Sequence, residues 1–380
     1  MSEEKYQKAT RIIVKAGAFP FPITDTLVGI TKELVSEDEL DFILAFKRKV
    51  SQTLEELEKS SNLPKEVIIE KADSLAKKGL IFNQPNSQGI IIYRLMSLML
   101  VGVFEYAFMK KLDHNDKEKK IARLFHKAIT ELKDFIQDQY DTIAPYLTNL
   151  PPIDRTIPVF ENIESRDAIE VVVDHEINSS MEDIVVAKNI EELINKFDDI
   201  AVAYCYCRQY KQLLGEPCKI NAPLENCFTF GKSARFIAQQ GFGRLISKSD
   251  ALKIMREAED HGLIHKAIHT HQDIKRDETS LCNCCPCCCE TLNLWKNGIN
   301  SMVNSTNYLS IILQEKCTGC GICVEKCPVD AIHLNDANIA ERDETRCLGC
   351  GVCARFCPEQ AISLQEGQRK VAIPPVKIKR

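Results

Sequence analysis

Two cysteine runs near the C-terminus have residue types and spacing suited to metal chemistry. The first reads CTGCGICVEKCP from Cys317 to Pro328, and the second CLGCGVCARFCP from Cys347 to Pro358. Each is C-x2-C-x2-C-x3-C-P, the spacing that wraps a cubane iron–sulfur cluster. Residues 317–334 and 347–364 are identical at ten of eighteen positions, the mark of an internal duplication. A cubane needs four thiolates aimed at four irons. Three closely spaced cysteines on a tight loop reach three of them, and in this motif the cysteine before proline serves the other cluster. The ligand sets expected are therefore Cys317, Cys320, Cys323 and Cys357 for one [4Fe–4S] cluster, and Cys347, Cys350, Cys353 and Cys327 for the second. Gly319, Gly321, Gly349 and Gly351 let the backbone bend around each cube. Zinc sites pair two C-x2-C units over a longer gap, a poor match to three cysteines per compact run.

Residues 308–366 resemble the two-cluster bacterial ferredoxins. The resemblance implies a small pseudo-symmetric α+β unit with two hairpins and two short helices, and single-electron transfer at low potential.

Ten of the eighteen cysteines lie outside these runs. Cys205, Cys207, Cys218 and Cys227 form a C-x-C-x10-C-x8-C layout, a candidate third site, with Arg208 beside it to stabilise anionic sulfur or a bound anion. Thiolate-rich sites select zinc or iron–sulfur. The run CNCCPCCC then packs Cys282, Cys284, Cys285, Cys287, Cys288 and Cys289 into eight residues. Neighbouring side chains point apart in extended chain, so one cube cannot readily use all six. A subset is expected to bind metal, at least one further iron–sulfur cluster or metal centre in all. Other thiols would surround the metal or carry thiol chemistry. His261, His265, His269 and His271 follow a helix expected over 249–261, which Gly262 should end, so they read as structural or surface histidines. The order Cys205-x-Cys207-Arg208, Cys218, Cys227, Phe230-Gly231, GLIH at 262–265 and CNCCPCCC is similar to that of a group of prokaryotic 4Fe–4S dicluster proteins, over residues 155–366. That resemblance implies an iron–sulfur redox protein without a defined substrate. Gly231-Lys232-Ser233 lacks the glycine a phosphate-binding loop needs five residues earlier, where Asn226 stands, and no G-x-G-x-x-G run is present.

The elements that must position these residues read as an α+β multidomain chain. Residues 1–150 form a helical, winged-helix-like module. Ser36 and Glu39 make a capping-box pattern, helices follow to Lys78, and Leu80–Phe82 and Ile90–Tyr93 make a hairpin. A long amphipathic helix over 117–140 presents Ile121, Leu124, Phe125, Ala128, Ile129, Leu132, Phe135 and Ile136 on one face. That face is a packing surface or the seam of a homo-oligomer. Pro145 ends that region, and Pro151-Pro152 marks the boundary. Residues 151–307 read as a Cys-rich α/β domain with strands at 169–173 and 200–204 and a helix at 190–197. Residues 308–366 are the ferredoxin-like part, and 367–380 a mobile basic tail.

The helix over 65–78 carries only one more basic than acidic side chain and the hairpin loop has none, which argues against nucleic acid. The net charge of −5 agrees. Met1–Lys15 lacks an apolar signal core. The most apolar stretch, from Gly89 to Met109, is broken by Arg94 and Glu105 and is too short to span a membrane. Eighteen cysteines kept for metal fit a reducing cytoplasm. The function expected is low-potential electron transfer between the two clusters and a further metal centre in the Cys-rich domain. The redox partner would bring a basic docking face to residues 308–366, which hold nine acidic and five basic side chains. A reductase with a catalytic Cys-rich centre and a redox-sensing winged-helix regulator of DNA are the alternatives.

Overall fold

The computed structural model describes residues 2–17, 22–99, 102–148, 154–159, 190–269, 279–299, 303–366 and 375–378. The chain divides into two compact units. The first holds residues 1–134, 201–217 and 232–245; the second holds 135–200, 218–231 and 246–380. The boundary expected near residue 150 falls earlier, and the middle region is shared between the two. The expected strand at 169–173 lies outside the described residues.

In the first unit, helices Ser2–Lys15, Asp25–Leu34 and Glu37–Leu44 lead into strand Ser51–Gln52, helices Leu54–Ser61 and Lys65–Ala76, and strands Ile81–Pro85 and Ile91–Leu95. Strand 91–95 pairs antiparallel with both others and occupies the centre of the sheet. Local sequence sets the helix starts. The Ser36 amide donates to Glu39 Oε2 at 2.9 Å, and Thr53 and Glu56 cap each other in the same reciprocal way. Asn62, at φ 57°, ends the second of these helices. The first two helices were not anticipated from the sequence. Their apolar positions, including Ile13 and Ile30, are fully buried.

Helix Asp116–Asp138 presents its expected stripe to a core, with Ile121, Phe125, Ala128 and Leu132 buried. Phe104 packs edge-on against Phe125 at 5.0 Å and against Tyr210 at 5.1 Å. The face is thus occupied within the chain. Pro145 does not end the region: it lies inside helix Tyr140–Thr148, where its missing N–H leaves one intrahelical bond unmade. Strand Ile200–Tyr204 pairs antiparallel with Gly243–Leu245, and helix Tyr206–Leu213 follows with Gln209 donating to the Lys110 carbonyl at 2.6 Å.

In the second unit, strands Asp154–Ile157, Ile264–Ile268, Ser280–Cys284 and Glu225–Phe230 lie side by side in that order, all antiparallel. Helix Lys248–Asp260 precedes the second of these, capped by Ser247 Oγ accepting from the Asp250 amide at 3.1 Å. Helix Glu290–Lys296 follows the cysteine run. Beyond it, strand Tyr308–Ile312 pairs antiparallel with the distant Ile362–Glu366, Ile332–Leu334 and Ala340–Arg342 form a hairpin, and Ile322–Lys326 and Val352–Arg355 are short helices. One of the two expected hairpins is thus instead a pairing of the segment's first and last strands. The Thr156 amide donates to Asn304 O at 3.2 Å, and Arg355 pairs with Asp260 at 2.7 Å. Residues 308–366 and these four strands thus lie in one compact unit. The tail, expected to be mobile, is tied down over 375–378: Lys377 pairs with Asp141 at 2.6 Å, and the Val376 amide donates to Trp295 O at 3.3 Å. Pro375 is buried and Val376 packs, partly buried, against the core that holds Trp295, an apolar anchor within a basic segment. Among the described residues no helix is long and apolar enough to cross a membrane.

Candidate metal centres

The duplicated runs fold into two loop-and-helix turns, each facing a cavity. One cavity, of about 350 Å³, is lined by Cys317, Cys320, Cys323 and Cys357. The other, of about 330 Å³, is lined by Cys327, Cys347, Cys350 and Cys353. Each therefore gathers three thiols from one repeat and the proline-preceding thiol from the other. Much of the rest of each wall is apolar, Leu334, Ala340 and Ile362 for the first and Val329, Ile332 and Leu364 for the second, with Thr318 and Glu359 at the first and Ser310 at the second. Gly319 (φ +69°) and Gly349 (φ +67°) make these turns. A Cβ at the first would collide with the Asn338 carbonyl, and at the second with the Tyr308 carbonyl.

Backbone amides point at the sulfurs. Ala331 N donates to Cys327 Sγ at 3.2 Å and Ala361 N to Cys357 Sγ at 3.3 Å, equivalent bonds in the two repeats. Ala340 N donates to Cys317 Sγ at 3.4 Å. Burial pushes the Cys350 thiol up to about 12 and Cys353 well above the ordinary range. Cys323 and Cys327 are raised for the same reason. Such buried thiols ionise only against a positive centre, which bound metal supplies. Thiol count, amide donors and largely apolar walls all fit a cubane cluster in each cavity.

The six-cysteine run splits. Strand Ser280–Cys284 alternates, so Cys282 and Cys284 share one side while Asn283 takes the other. Asn283 Oδ1 lies 2.6 Å from His265 Nδ1, which accounts for the buried His265 as a structural residue. His261 caps helix Lys248–Asp260, His269 is buried, and His271 lies outside the described residues. Cys289 Sγ sits 3.0 Å from Cys284 Sγ and 3.0 Å from Thr291 Oγ1. Contact with Cys282 and Cys289, followed by burial, pushes Cys284 well above its ordinary range. The ammonium of Lys266 lies in the same place. It pairs with Asp154 at 2.9 Å, with both side chains 1% exposed, and reaches Thr291 Oγ1 at 3.3 Å. Burial works against its charge, but Asp154, Cys284 and Cys289 together hold it above the usual lysine range.

The turn after the strand sends its thiols elsewhere. Cys285, Cys287 and Cys288 meet Cys218, with Cys218 Sγ 4.0 Å from Cys285 and 3.7 Å from Cys287. Contact with Cys285, then the Ala222 and Ile220 amides and Cys287, lower Cys218 to about 4 against the cost of burial. Cys287 is lowered to about 6, first by Cys285 and then by the Lys219 amide and Cys288. Of the expected four-cysteine layout, Cys218 thus joins the later run, and Cys227 is buried in strand Glu225–Phe230. Cys205 and Cys207 begin helix Tyr206–Leu213 in the first unit, with Arg208 buried in that helix. Sequence reasoning missed Lys266 and Asp154, whose pairing depends on the register of two strands 110 residues apart. The amides of Ala331 and Ala361 had a signal: alanine is one of the positions the two repeats share.

Residues 310–364 match the family model of the 4Fe-4S dicluster domain. A protein of Methanosarcina thermophila described as a probable ferredoxin is 62% identical over 29 residues, 8% of this chain and 50% of the relative. The chain thus spans about half the length of that relative. No solved structure matches the chain. The C-terminal segment is a ferredoxin-like iron–sulfur domain.

Proposed function

We propose that this chain is an electron-transfer protein that holds two [4Fe–4S] clusters, one on Cys317, Cys320, Cys323 and Cys357 and the other on Cys347, Cys350, Cys353 and Cys327. The observation that carries this reading is the pair of cavities, each lined by three thiols of one repeat and one of the other. Such clusters accept and release single electrons. The chain's own groups set how easily. The Ala331, Ala340 and Ala361 amides offset negative charge on sulfur and favour the reduced form, whereas apolar walls and burial disfavour added charge.

Electrons pass between this pair and a further metal centre on Cys282, Cys284 and Cys289 in the Cys-rich region of the same unit, in either direction. The external partner presents a basic face to the acidic 308–366 segment. The helices and three-stranded sheet of residues 37–95 act as a winged-helix-like docking module for protein. A second reading has one observation in its favour: Cys282, Cys284 and Cys289 lie beside the buried Lys266. A protonated lysine among thiols suits a reductase, where it stabilises thiolate as it forms.

Anaerobic purification followed by iron and acid-labile sulfide analysis and EPR of the reduced protein tests the main reading. About eight irons from the C-terminal cysteines, with the interacting signals of two nearby reduced clusters, are expected. A colourless protein without labile sulfide refutes it. Oxidation of the reduced protein by one disulfide or small molecule, abolished in Cys289→Ser with the iron intact, would establish the reductase reading.

A further inference from the structure

We infer that Cys218, Cys285, Cys287 and Cys288 bind a single zinc ion, tetrahedrally and through four thiolates, and not a third cubane cluster. The assignment does not depend on the electron-transfer reading. It rests first on spacing. Cys218 Sγ is 4.0 Å from Cys285 Sγ and 3.7 Å from Cys287 Sγ; Cys287 Sγ is 3.7 Å from Cys285 Sγ and 3.6 Å from Cys288 Sγ. Zinc–sulfur bonds of about 2.3 Å in a tetrahedron put the sulfurs about 3.8 Å apart. A cubane spreads its thiolates over four separate irons and needs them wider. The same chain supplies the contrast. Among the described residues, Cys218, Cys285, Cys287 and Cys288 are the group whose ligand atoms all lie within 4.8 Å of one another, whereas the C-terminal cysteines form no such close group.

The surroundings agree. The Ile220 and Ala222 amides donate to Cys218 and the Lys219 amide to Cys287, so the backbone already offsets part of the charge that four thiolates bring. Ala222, Ala258 and Leu263 pack against Cys285 and Cys288 and close the site. Four protein ligands leave no open position, the arrangement of a structural zinc. Its structural task is visible. Residues 216–224 form neither helix nor strand, and their Cys218 meets a turn 67 residues further on. An ion there ties this irregular segment to the end of strand Ser280–Cys284. Zinc does not change oxidation state, so the centre holds the fold and carries no electron. Of the six cysteines in the 282–289 run, Cys282, Cys284 and Cys289 are left for redox work.

The test uses the full chain purified anaerobically, with zinc, iron and labile sulfide measured together. Wild type should carry about one zinc per chain. Cys218→Ser and Cys287→Ser should each lose that equivalent and keep iron and sulfide unchanged. Loss of iron and sulfide together, about four of each, would show a cubane and overturn the proposal, as would unchanged zinc. Because losing a structural ion can unfold the chain, the unmodified protein supplies a second measurement. Zinc-edge X-ray absorption should give four sulfur scatterers at about 2.3 Å. A shell dominated by oxygen or nitrogen would equally overturn it.

Discussion

Two glutamates of the first unit, the buried Glu39 and the half-buried Glu105, respond to pH in opposite directions. Glu39 accepts from Ser74 at 2.7 Å, from Lys78 at 2.7 Å and from the Ser36 amide. Burial alone would raise it, but these partners hold it below the ordinary glutamate range. Its contribution is therefore complete above the unfolded value and fades as pH falls through the lower folded one. Glu39→Ala should cost about 1–3 kcal/mol at pH 7 by leaving those donors unpaired, read as a lower denaturation midpoint. Glu105 behaves in reverse. Burial raises it to about 8 against a hydrogen bond from Tyr206. The folded chain holds this proton more tightly than the unfolded one, so the residue becomes a growing liability as pH rises from about 4.5 to about 8. Glu105→Gln should change the melting temperature little at pH 4 and raise it clearly at pH 8. An unchanged difference at the two pH values would mean that the folded and unfolded chains hold this proton equally and that burial does not raise Glu105. At the Lys266–Asp154 pair, Lys266→Ala should cost about 3–5 kcal/mol by stranding a buried carboxylate, while Lys266→Met should be milder because it keeps the volume.

Among the elements, the two C-terminal turns exchange ligands, and that gives a distinctive mutational pattern. Cys327 sits in the first repeat but lines the second cavity, and Cys357 the converse. Cys357→Ser should therefore damage the centre of Cys317, Cys320 and Cys323, roughly halving the iron, and leave the EPR signal of the second. Gly349→Ala should lower iron content too, since its positive φ and the Tyr308 carbonyl both resist a side chain. These turns were legible in the sequence because their ligands are local and repeated. The capping box at Ser36 was legible for the same reason: a cap is settled within four residues. The helices at Ser2–Lys15 and Asp25–Leu34 escaped because the apolar stripe of each is short and becomes a core only against its neighbours. The partition of the six-cysteine run escaped for a related reason. Cys218 is distant in sequence, and which thiols it meets depends on where strand Ser280–Cys284 stops and its turn begins.

At the scale of the whole chain, segment 308–366 carries nine acidic and five basic side chains, and reduced clusters would add negative charge. Electron exchange with a cationic redox protein should slow as salt rises from about 0.05 to about 0.5 M, because screening shortens the reach of these charges. A rate indifferent to salt would place the docking surface elsewhere. Division into two units, each assembled from separated stretches of chain, was not legible: residues 201–217 and 232–245 join the first unit while 218–231 joins the second. Proline-rich punctuation near residue 151 marks a chain boundary, whereas packing decides which residues associate. The swap of thiols between repeats also bears on how the protein is made. Each C-terminal cage contains a thiol from the other repeat, and Cys357 is the last of the eight to be translated. The first cage stays one thiol short until the second repeat has been translated as far as Cys357, so the first repeat cannot complete its own metal loading as it emerges.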